Sequence, residues 1–268
     1  MALDTQAAQG EIRAQLGLTE KEAQKVASSA KSLWADGFGD SVGEAKNALV
    51  NVKQNVKSLK GATDDTVKEV TKGYTMTIAK AFDQDGNDIT KSINAMQNSF
   101  DGLSTDAAMD MITSGFQKGL DYSGEFLDSI NEYSNQFAAA GFSTQRMFSV
   151  FQAGAESGAF QLDKVGDLIK EMNIRLSDGT ADEAMQSLSK HTQDLYAQFK
   201  KTGKGGDLVF SAVMKDIDGM KNKSDAYKIG QQIMGTQFED LGQKGVSALA
   251  NIENSFSNTS GATKKAGQ

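Results

Sequence analysis

The sequence predicts an all-α protein, built from repeated helical hairpins of about 40 residues with Gly-rich turns and no sheet. A motif recurs at an offset of 39 residues, as Gly-Leu-Ser-Thr at Gly102–Thr105 and as Gly-Phe-Ser-Thr at Gly141–Thr144. Apolar residues follow in steps of three or four, which is the period of one helix face. The 268 residues include no Pro and 27 Gly, so Gly takes the place of Pro as the turn residue. Because one hairpin cannot bury its apolar face alone, the pattern favours stacked hairpins.

Residues 1–100 form the first predicted region, which is helical. Its first 16 residues are polar and predict an irregular start, after which Thr19 and Glu22 have the spacing of a capping box and predict a helix start. Another helix is expected from Val42, where the apolar spacing is heptad-like. The apolar stripes of the region are Ala23, Val26, Ala30 and Leu33; Val42, Ala45, Leu49, Val52, Val56 and Leu59; and Val67, Val70, Tyr74, Ile78 and Phe82.

Residues 101–256 form the second predicted region, a helical repeat domain. Two further capping-box matches, Thr180 with Glu183 and Thr236 with Glu239, predict capped helices in its second half. The stripes of its first half are Met109, Ile112, Phe116 and Leu120; Phe126, Ile130, Tyr133 and Phe137; Met147, Val150 and Phe151; and Leu162, Val165, Ile169 and Met172. The remaining residues, 257–268, are polar and predict a disordered linker or tail.

Composition excludes several classes of function. The chain has no Cys, so a disulfide framework, a thiolate metal site and a Cys nucleophile are all impossible. The net charge is −7, and residues 124–188 hold ten acidic against four basic side chains. Such a surface repels nucleic-acid phosphates and anionic membranes, so we expect no direct binding of nucleic acid. No signal peptide is visible, and no apolar run approaches the ~18 residues of a membrane span. The sequence therefore predicts neither a signal peptide nor a membrane span.

Three local patterns suggest chemistry but fail the tests for it. His191 is the only histidine, so neither a conventional zinc site nor a supported catalytic triad can be assembled around it. Residues 83–88 look like a calcium loop, but Gly stands at the fourth position rather than the sixth, which favours a polar turn that caps the next helix. Residues 200–206 are basic and Gly-rich without P-loop spacing, which favours a hairpin turn. We therefore predict no catalytic, cofactor-binding or metal-binding residue, and no enzyme.

Two segments carry a resemblance to a known family. The first comprises Gly141-Phe142-Ser143 at a helix start, a turn from Gly154 to Gly158, and the helix from Leu162 to Met172. The second is the run from Ile233 to Leu241, which looks like a Phe-Gly-Thr-type segment before a closing helix, with Met234 where an aromatic residue is expected. Over residues 100–256 the chain resembles bacteriophage tail tape measure proteins, also called phage minor tail proteins.

The resemblance implies a structural protein of the virion, made in the host bacterial cytoplasm and located in the tail lumen. It implies a role in tail assembly and tail-length determination, with release at genome ejection. The implied partners are tail assembly chaperones, tail tube and tail-tip proteins, and further copies of the same chain. Family members are usually much longer and include apolar membrane-active segments, so the resemblance also implies that this chain is a fragment.

Three other functions stay open from the sequence. The first is an all-α membrane-active protein or secreted effector, which requires amphipathic helices with basic polar faces. The second is an all-α enzyme with carboxylates between its helices. The third is a generic helical interaction module, which the sequence favours over the other two.

Overall fold

The computed structural model of the protein describes residues 5–62, 64–157, 161–253 and 255–267. Across these ranges the chain is helical without any β-strand, so the all-α prediction is confirmed. The α-helices in chain order are α1 (Thr5–Leu16), α2 (Glu20–Ala35), α3 (Val42–Asn55), α4 (Asp64–Thr71), α5 (Ala79–Phe82), α6 (Gly86–Ser99), α7 (Thr105–Gln117), α8 (Phe126–Ala139), α9 (Thr144–Glu156), α10 (Leu162–Asp178), α11 (Asp182–Met185), α12 (Lys190–Thr202), α13 (Gly206–Gly219), α14 (Lys223–Met234), α15 (Gly242–Ala250) and α16 (Ala262–Ala266). A π-helix over Lys72–Ile78 joins α4 to α5, and 3₁₀ helices cover Lys57–Leu59 and Thr236–Leu241.

The chain forms two compact units. Unit 1 contains the described residues up to Gln97, then Gly102–Ser114, and finally the described residues from Thr259 onwards. Unit 2 contains Asn98–Asp101 and the described residues of Gly115–Asn258. The division of the sequence into regions 1–100, 101–256 and 257–268 stays a prediction about domains.

Unit 1 is built around its first three helices. Helices α1, α2 and α3 pack on one another, and α4 packs on α2 and α3. Its largest fully buried side chains are Ile12, Leu33, Leu49, Tyr74 and Ile78. Leu33, Leu49, Tyr74 and Ile78 belong to the apolar stripes expected from the sequence, so the helical spacing identifies most of this core correctly.

Unit 2 has an aromatic core. Phe126 makes edge-to-face contacts with Phe116 and Phe148, at ring-centroid distances of 5.1 and 5.8 Å. The ring of Phe256 continues this series at 5.3 Å from Phe148. A second series joins Phe137 to Phe151 at 5.3 Å. Each edge-to-face pair contributes about 0.5–1.5 kcal/mol beyond the area that it buries, so these rings fix how α8, α9 and their neighbours pack.

The recurring Gly-x-Ser-Thr motif has the same local structure at both of its positions. Gly102 and Gly141 have φ values of 75° and 85°, a left-handed conformation that only Gly adopts without strain. Two residues later, the hydroxyls of Ser104 and Ser143 accept hydrogen bonds from the backbone three residues further on, at 3.2 and 3.1 Å. The motif is thus a turn followed by a helix N-cap. A packing repeat of about 40 residues stays a prediction.

Several glycines lie inside helices, where they allow close packing rather than a turn. A Cβ built at Gly154 of α9 would lie 2.5 Å from Val165 of α10, and one built at Gly230 of α14 would lie 2.2 Å from Phe238. Real Cβ atoms do not approach neighbours this closely, so these positions require Gly for packing. The turn predicted from Gly154 to Gly158 is therefore wrong at Gly154, which lies inside α9, while Gly158 lies outside the described residues.

The structure differs from the sequence expectation at the N-terminus and in the tail. Residues 5–16 form helix α1 rather than an irregular start, because Ala8 and Ile12 are buried by the packing of α1 on α2 and α3. In the tail, Ala262–Ala266 forms helix α16, and its Thr263 is only 4% exposed. Both segments are polar on average and are ordered by tertiary contacts, which local composition does not report.

Of the three predicted capping boxes, only the first is confirmed. The Thr19 hydroxyl accepts from the backbone of Glu22, whose carboxylate accepts from the Thr19 backbone at 2.8 Å. The prediction for Thr180 is wrong, because α11 starts at Asp182 and no side chain caps it. The prediction for Thr236 is also wrong, because a 3₁₀ helix without a side-chain cap starts there.

Candidate interaction surfaces

The three local patterns that suggest chemistry lie on the surface, in turns and on a solvated helix face. His191 is exposed near the start of α12. At residues 83–88, Asp83 has a φ of 53° and a carboxylate oxygen of Asp85 accepts from the Asn87 backbone at 2.7 Å. The polar turn before α6 is therefore confirmed. Among the described residues, no group of three or more His, Asp or Glu side chains could hold a metal ion.

The basic loop at residues 200–206 is a hairpin turn between α12 and α13, as predicted. Gly203 and Gly205 have φ values of 68° and 85° and form the turn. Lys200 is 3.0 Å from a carboxylate oxygen of Asp182 and lies over the ring of Tyr196 at 4.7 Å. This lysine therefore holds the turn against α11 and α12 and does not point at an empty anion site.

Acidic side chains outnumber basic ones on α8 and α10. None of the ten acidic residues in the segment 124–188 is buried. Three of its four basic side chains are in ion pairs: Lys164 with Asp240 at 2.7 Å, Lys170 with Asp167 at 3.8 Å, and Arg175 with Glu171 at 3.4 Å. The segment thus keeps an excess of negative charge at its surface, which repels other anions.

Two tyrosines lie near these carboxylates: Tyr133 is buried on α8, and Tyr122 precedes that helix. Burial raises the pKa of Tyr133, and the neighbouring carboxylate of Asp167 raises it further. Burial also raises the pKa of Tyr122, whose side chain nevertheless leaves 49% of the residue exposed. Both phenols therefore stay neutral near pH 7 and add no charge to the surface.

The segment from Ile233 to Leu241 is a packed corner. Ile233 and Met234 end α14 and are fully buried. Gly235, with φ 80° and ψ −174°, redirects the chain into the 3₁₀ helix. There Phe238 fills the notch at Gly230 and contacts the ring of Tyr227 at a centroid distance of 5.8 Å. The resemblance in this segment therefore reflects packing rather than a binding site.

An open groove of about 420 Å³ between α11 and α14 was not anticipated from the sequence. Its lining carries charges of both signs, with Glu183 and Asp225 opposed by Lys221 and Lys228. Small-molecule sites are mostly apolar and enclose their ligand. A charged, open groove instead has the character of the polar rim of a protein–protein contact.

A buried polar cluster in unit 1 was also missed. Asp110 and Thr113 on α7 are 9% and 0% exposed, and their partners lie about 150 residues later in the chain, in the segment around Thr263. No sequence signal pairs residues at this separation.

No described helix is long and apolar enough to cross a membrane.

The described residues form an all-α protein of packed helices with charged surfaces. A sequence model of the phage-related minor tail protein family matches residues 33–266. The chain therefore belongs to this family, which is structural rather than catalytic and supplies components of the phage virion. Searches of curated proteins and of solved structures gave no significant match.

Proposed function

We propose that this chain acts as part of a tape measure protein inside the phage tail tube. In this role it takes part in tail assembly, sets tail length and leaves the tube at genome ejection. The match to the minor tail protein family over residues 33–266 is the observation that carries the proposal.

The helical architecture supports a role as a ruler. An α-helix rises about 1.5 Å per residue, so 268 residues in a fully extended helical form reach on the order of 400 Å. Glycines with positive φ, such as Gly102, Gly141 and Gly179, reverse the chain between helices. Straightening these turns lengthens the chain and leaves most of its backbone hydrogen bonds in place.

The surface charge supports a location in the lumen. None of the acidic side chains of α8 and α10 is buried, and three of the four nearby cations are already paired with carboxylates. A negative chain does not adhere to the DNA that follows it through the tube. This agrees with a protein that leaves ahead of the genome without binding it directly.

The partners that we propose are tail assembly chaperones, tube and tail-tip proteins, and further copies of the chain. The charged groove between α11 and α14 is the surface where we expect one of these proteins to bind. Its Lys221 and Lys228 and its Glu183 and Asp225 provide charges that a partner can complement.

Insertions of known length test the ruler. Ser257 and Asn258 are exposed and lie between the last aromatic contact of unit 2 and the segment that joins unit 1. Inserting 20 or 40 helix-forming residues between them in the phage gene should lengthen the tail by ~30 or ~60 Å. Tail length is measured on negatively stained particles.

The control places the same two insertions at the end of another tail gene, where tail length should not change. Assembled particles of wild-type tail length with both insertions in this chain would contradict the ruler. A structural role in the tail would survive that result.

A further inference from the structure

The last described helix, α16, packs on the π-helix of unit 1, and its N-terminus meets a buried carboxylate. One oxygen of Asp110 accepts from the backbone N–H of Gly261 at 2.7 Å, and the other accepts from that of Thr263 at 3.0 Å. Asp110 is only 9% exposed. The segment thus supplies two backbone donors to a nearly buried carboxylate.

One side chain supplies the rest of the polar contact. The hydroxyls of Thr113 and Thr263 are 2.9 Å apart, and both residues are buried. The methyl group of Thr263 lies beside Gly73, where an added Cβ would be 3.6 Å away. A Cβ built at Gly267 would likewise lie 3.0 Å from the hydroxyl oxygen of Thr77. The fit therefore depends on glycines and on one threonine.

The segment is too short to hold its shape alone. Helix α16 has five residues, whereas isolated helices shorter than about 12–15 residues are marginal in water. Its two lysines, Lys264 and Lys265, are exposed. The segment therefore stays helical because of the contacts at Asp110, Thr113 and the π-helix, and losing those contacts releases it as a whole.

We propose that residues 259–267 form a latch, which opens and closes as one element over the face of unit 1 made by Gly73, Thr77, Asp110 and Thr113. The remainder of unit 1 stays folded while the latch is open. Asp110 is the positioning residue of the latch. This proposal stands whether or not the chain measures tail length.

Trypsin cleavage after Lys264 or Lys265 reports opening, because a protease needs an unfolded stretch around the bond that it cuts. Asp110→Asn keeps the size of the side chain but turns an N–H₂ towards one of the two backbone N–H groups. We expect cleavage at these lysines about tenfold faster than in the wild type, as expected when one hydrogen bond to a charged group is lost. Loss of the C-terminal residues is followed by intact mass spectrometry of the full chain.

Asp106→Asn is the matched control. Asp106 is exposed, lies one turn earlier on α7 and takes no part in the contact with α16. It should be cleaved at the wild-type rate. Equal cleavage rates after Lys264 and Lys265 in Asp110→Asn and Asp106→Asn would overturn the latch. It would also be overturned if Asp110→Asn accelerated cleavage at Lys46 and Lys68 as much as at Lys264 and Lys265, since unit 1 would then open as a whole.

A disulfide tests the same element without weakening it. The chain has no Cys, so Thr113→Cys with Thr263→Cys introduces a single possible bridge where two hydroxyls now lie 2.9 Å apart. Oxidation should suppress cleavage at Lys264 and Lys265, and reduction should restore it. Mass spectrometry of the oxidised variant shows whether the bridge has formed. Once it has, equal cleavage rates for the oxidised and the reduced variant would contradict the proposal.

Discussion

The ring of Tyr133 on α8 lies directly against Gly166 on α10. A Cβ built at Gly166 would be 2.2 Å from the ring carbon Cδ2, far inside van der Waals contact. Helices α8 and α10 therefore approach each other through a position that has no side chain. This glycine serves packing and does not act as a hinge.

Replacing Gly166 with Ala should destabilise the protein by about 1–3 kcal/mol, because the methyl group forces the Tyr133 ring or one of the helices to move. Gly10→Ala is the control: Gly10 lies in α1 with no described atom within 4 Å of an added Cβ. It should gain up to about 1 kcal/mol from helix propensity. Urea denaturation measures both, and a Gly166→Ala variant as stable as the wild type would show that the contact is not tight.

Ser129 on α8 should be better replaced by Ala. Its hydroxyl is buried and has no hydrogen-bond partner among the described residues. Ser129→Ala should stabilise by about 1 kcal/mol by removing an unsatisfied polar group. Ser134→Ala on the same helix provides the comparison and should give no gain, because the Ser134 hydroxyl donates to the Ile130 carbonyl at 2.6 Å. Thermal unfolding measures the stability of both variants. Equal changes in stability would contradict the conclusion that the Ser129 hydroxyl is unsatisfied.

The N-cap at Thr19 should contribute measurably to stability. Thr19→Ala removes the hydroxyl that accepts from the Glu22 backbone, while the backbone N–H of residue 19 can still donate to the Glu22 carboxylate. The loss should cost about 1 kcal/mol. Thr236→Ala tests the same sequence pattern where no cap forms and should cost less. Chemical denaturation of both variants checks the difference. Similar losses would mean that the spacing itself, rather than the hydrogen bonds, predicts the effect.

Stability should fall in acid partly through Asp182. The Tyr196 hydroxyl, at 2.6 Å, and the Lys200 ammonium hold the pKa of Asp182 below its usual range. A lowered folded-state pKa contributes stability above the unfolded pKa of about 3.9, and this contribution is lost as pH falls through the folded value. Asp182→Asn should therefore be less stable than the wild type at pH 7, and the gap should narrow below about pH 4. Thermal melts of both proteins from pH 7 to pH 3 measure this gap, and a gap that stays constant would contradict the role of Asp182.

Local sequence signals predicted the helices but not every way in which they begin. The spacing of Thr19 and Glu22 correctly predicts a capping box, because both side chains bond to the backbone at the start of their own helix. The same spacing at Thr236 failed because Phe238 is drawn onto Gly230, which favours a tight 3₁₀ turn. Tertiary packing overrides a capping preference that is worth about 1 kcal/mol.

The candidate surfaces were predictable only where they depend on composition. The acidic surface of α8 and α10 follows from a charge count, and the turns at residues 83–88 and 200–206 follow from Gly and Asp chemistry. The latch was not predictable, because Asp110 and Thr263 are separated by 153 positions and neither stands in a recognisable motif. The sequence predicts an irregular start at α1 because the segment is polar on average, although Ala8 and Ile12 are buried in the structure.

The discontinuity of unit 1 has a consequence for how the protein is made. Its parts come from the first hundred residues, from the start of α7 and from the segment after Thr259. On the ribosome, every residue of unit 2 has been polymerised before the latch residues exist. Asp110 therefore lacks the backbone N–H groups of Gly261 and Thr263 as partners until all of unit 2 has been synthesised. The contact of Thr263 with Asp110 and Thr113 can therefore form only after translation has passed Thr263, so unit 1 is completed last.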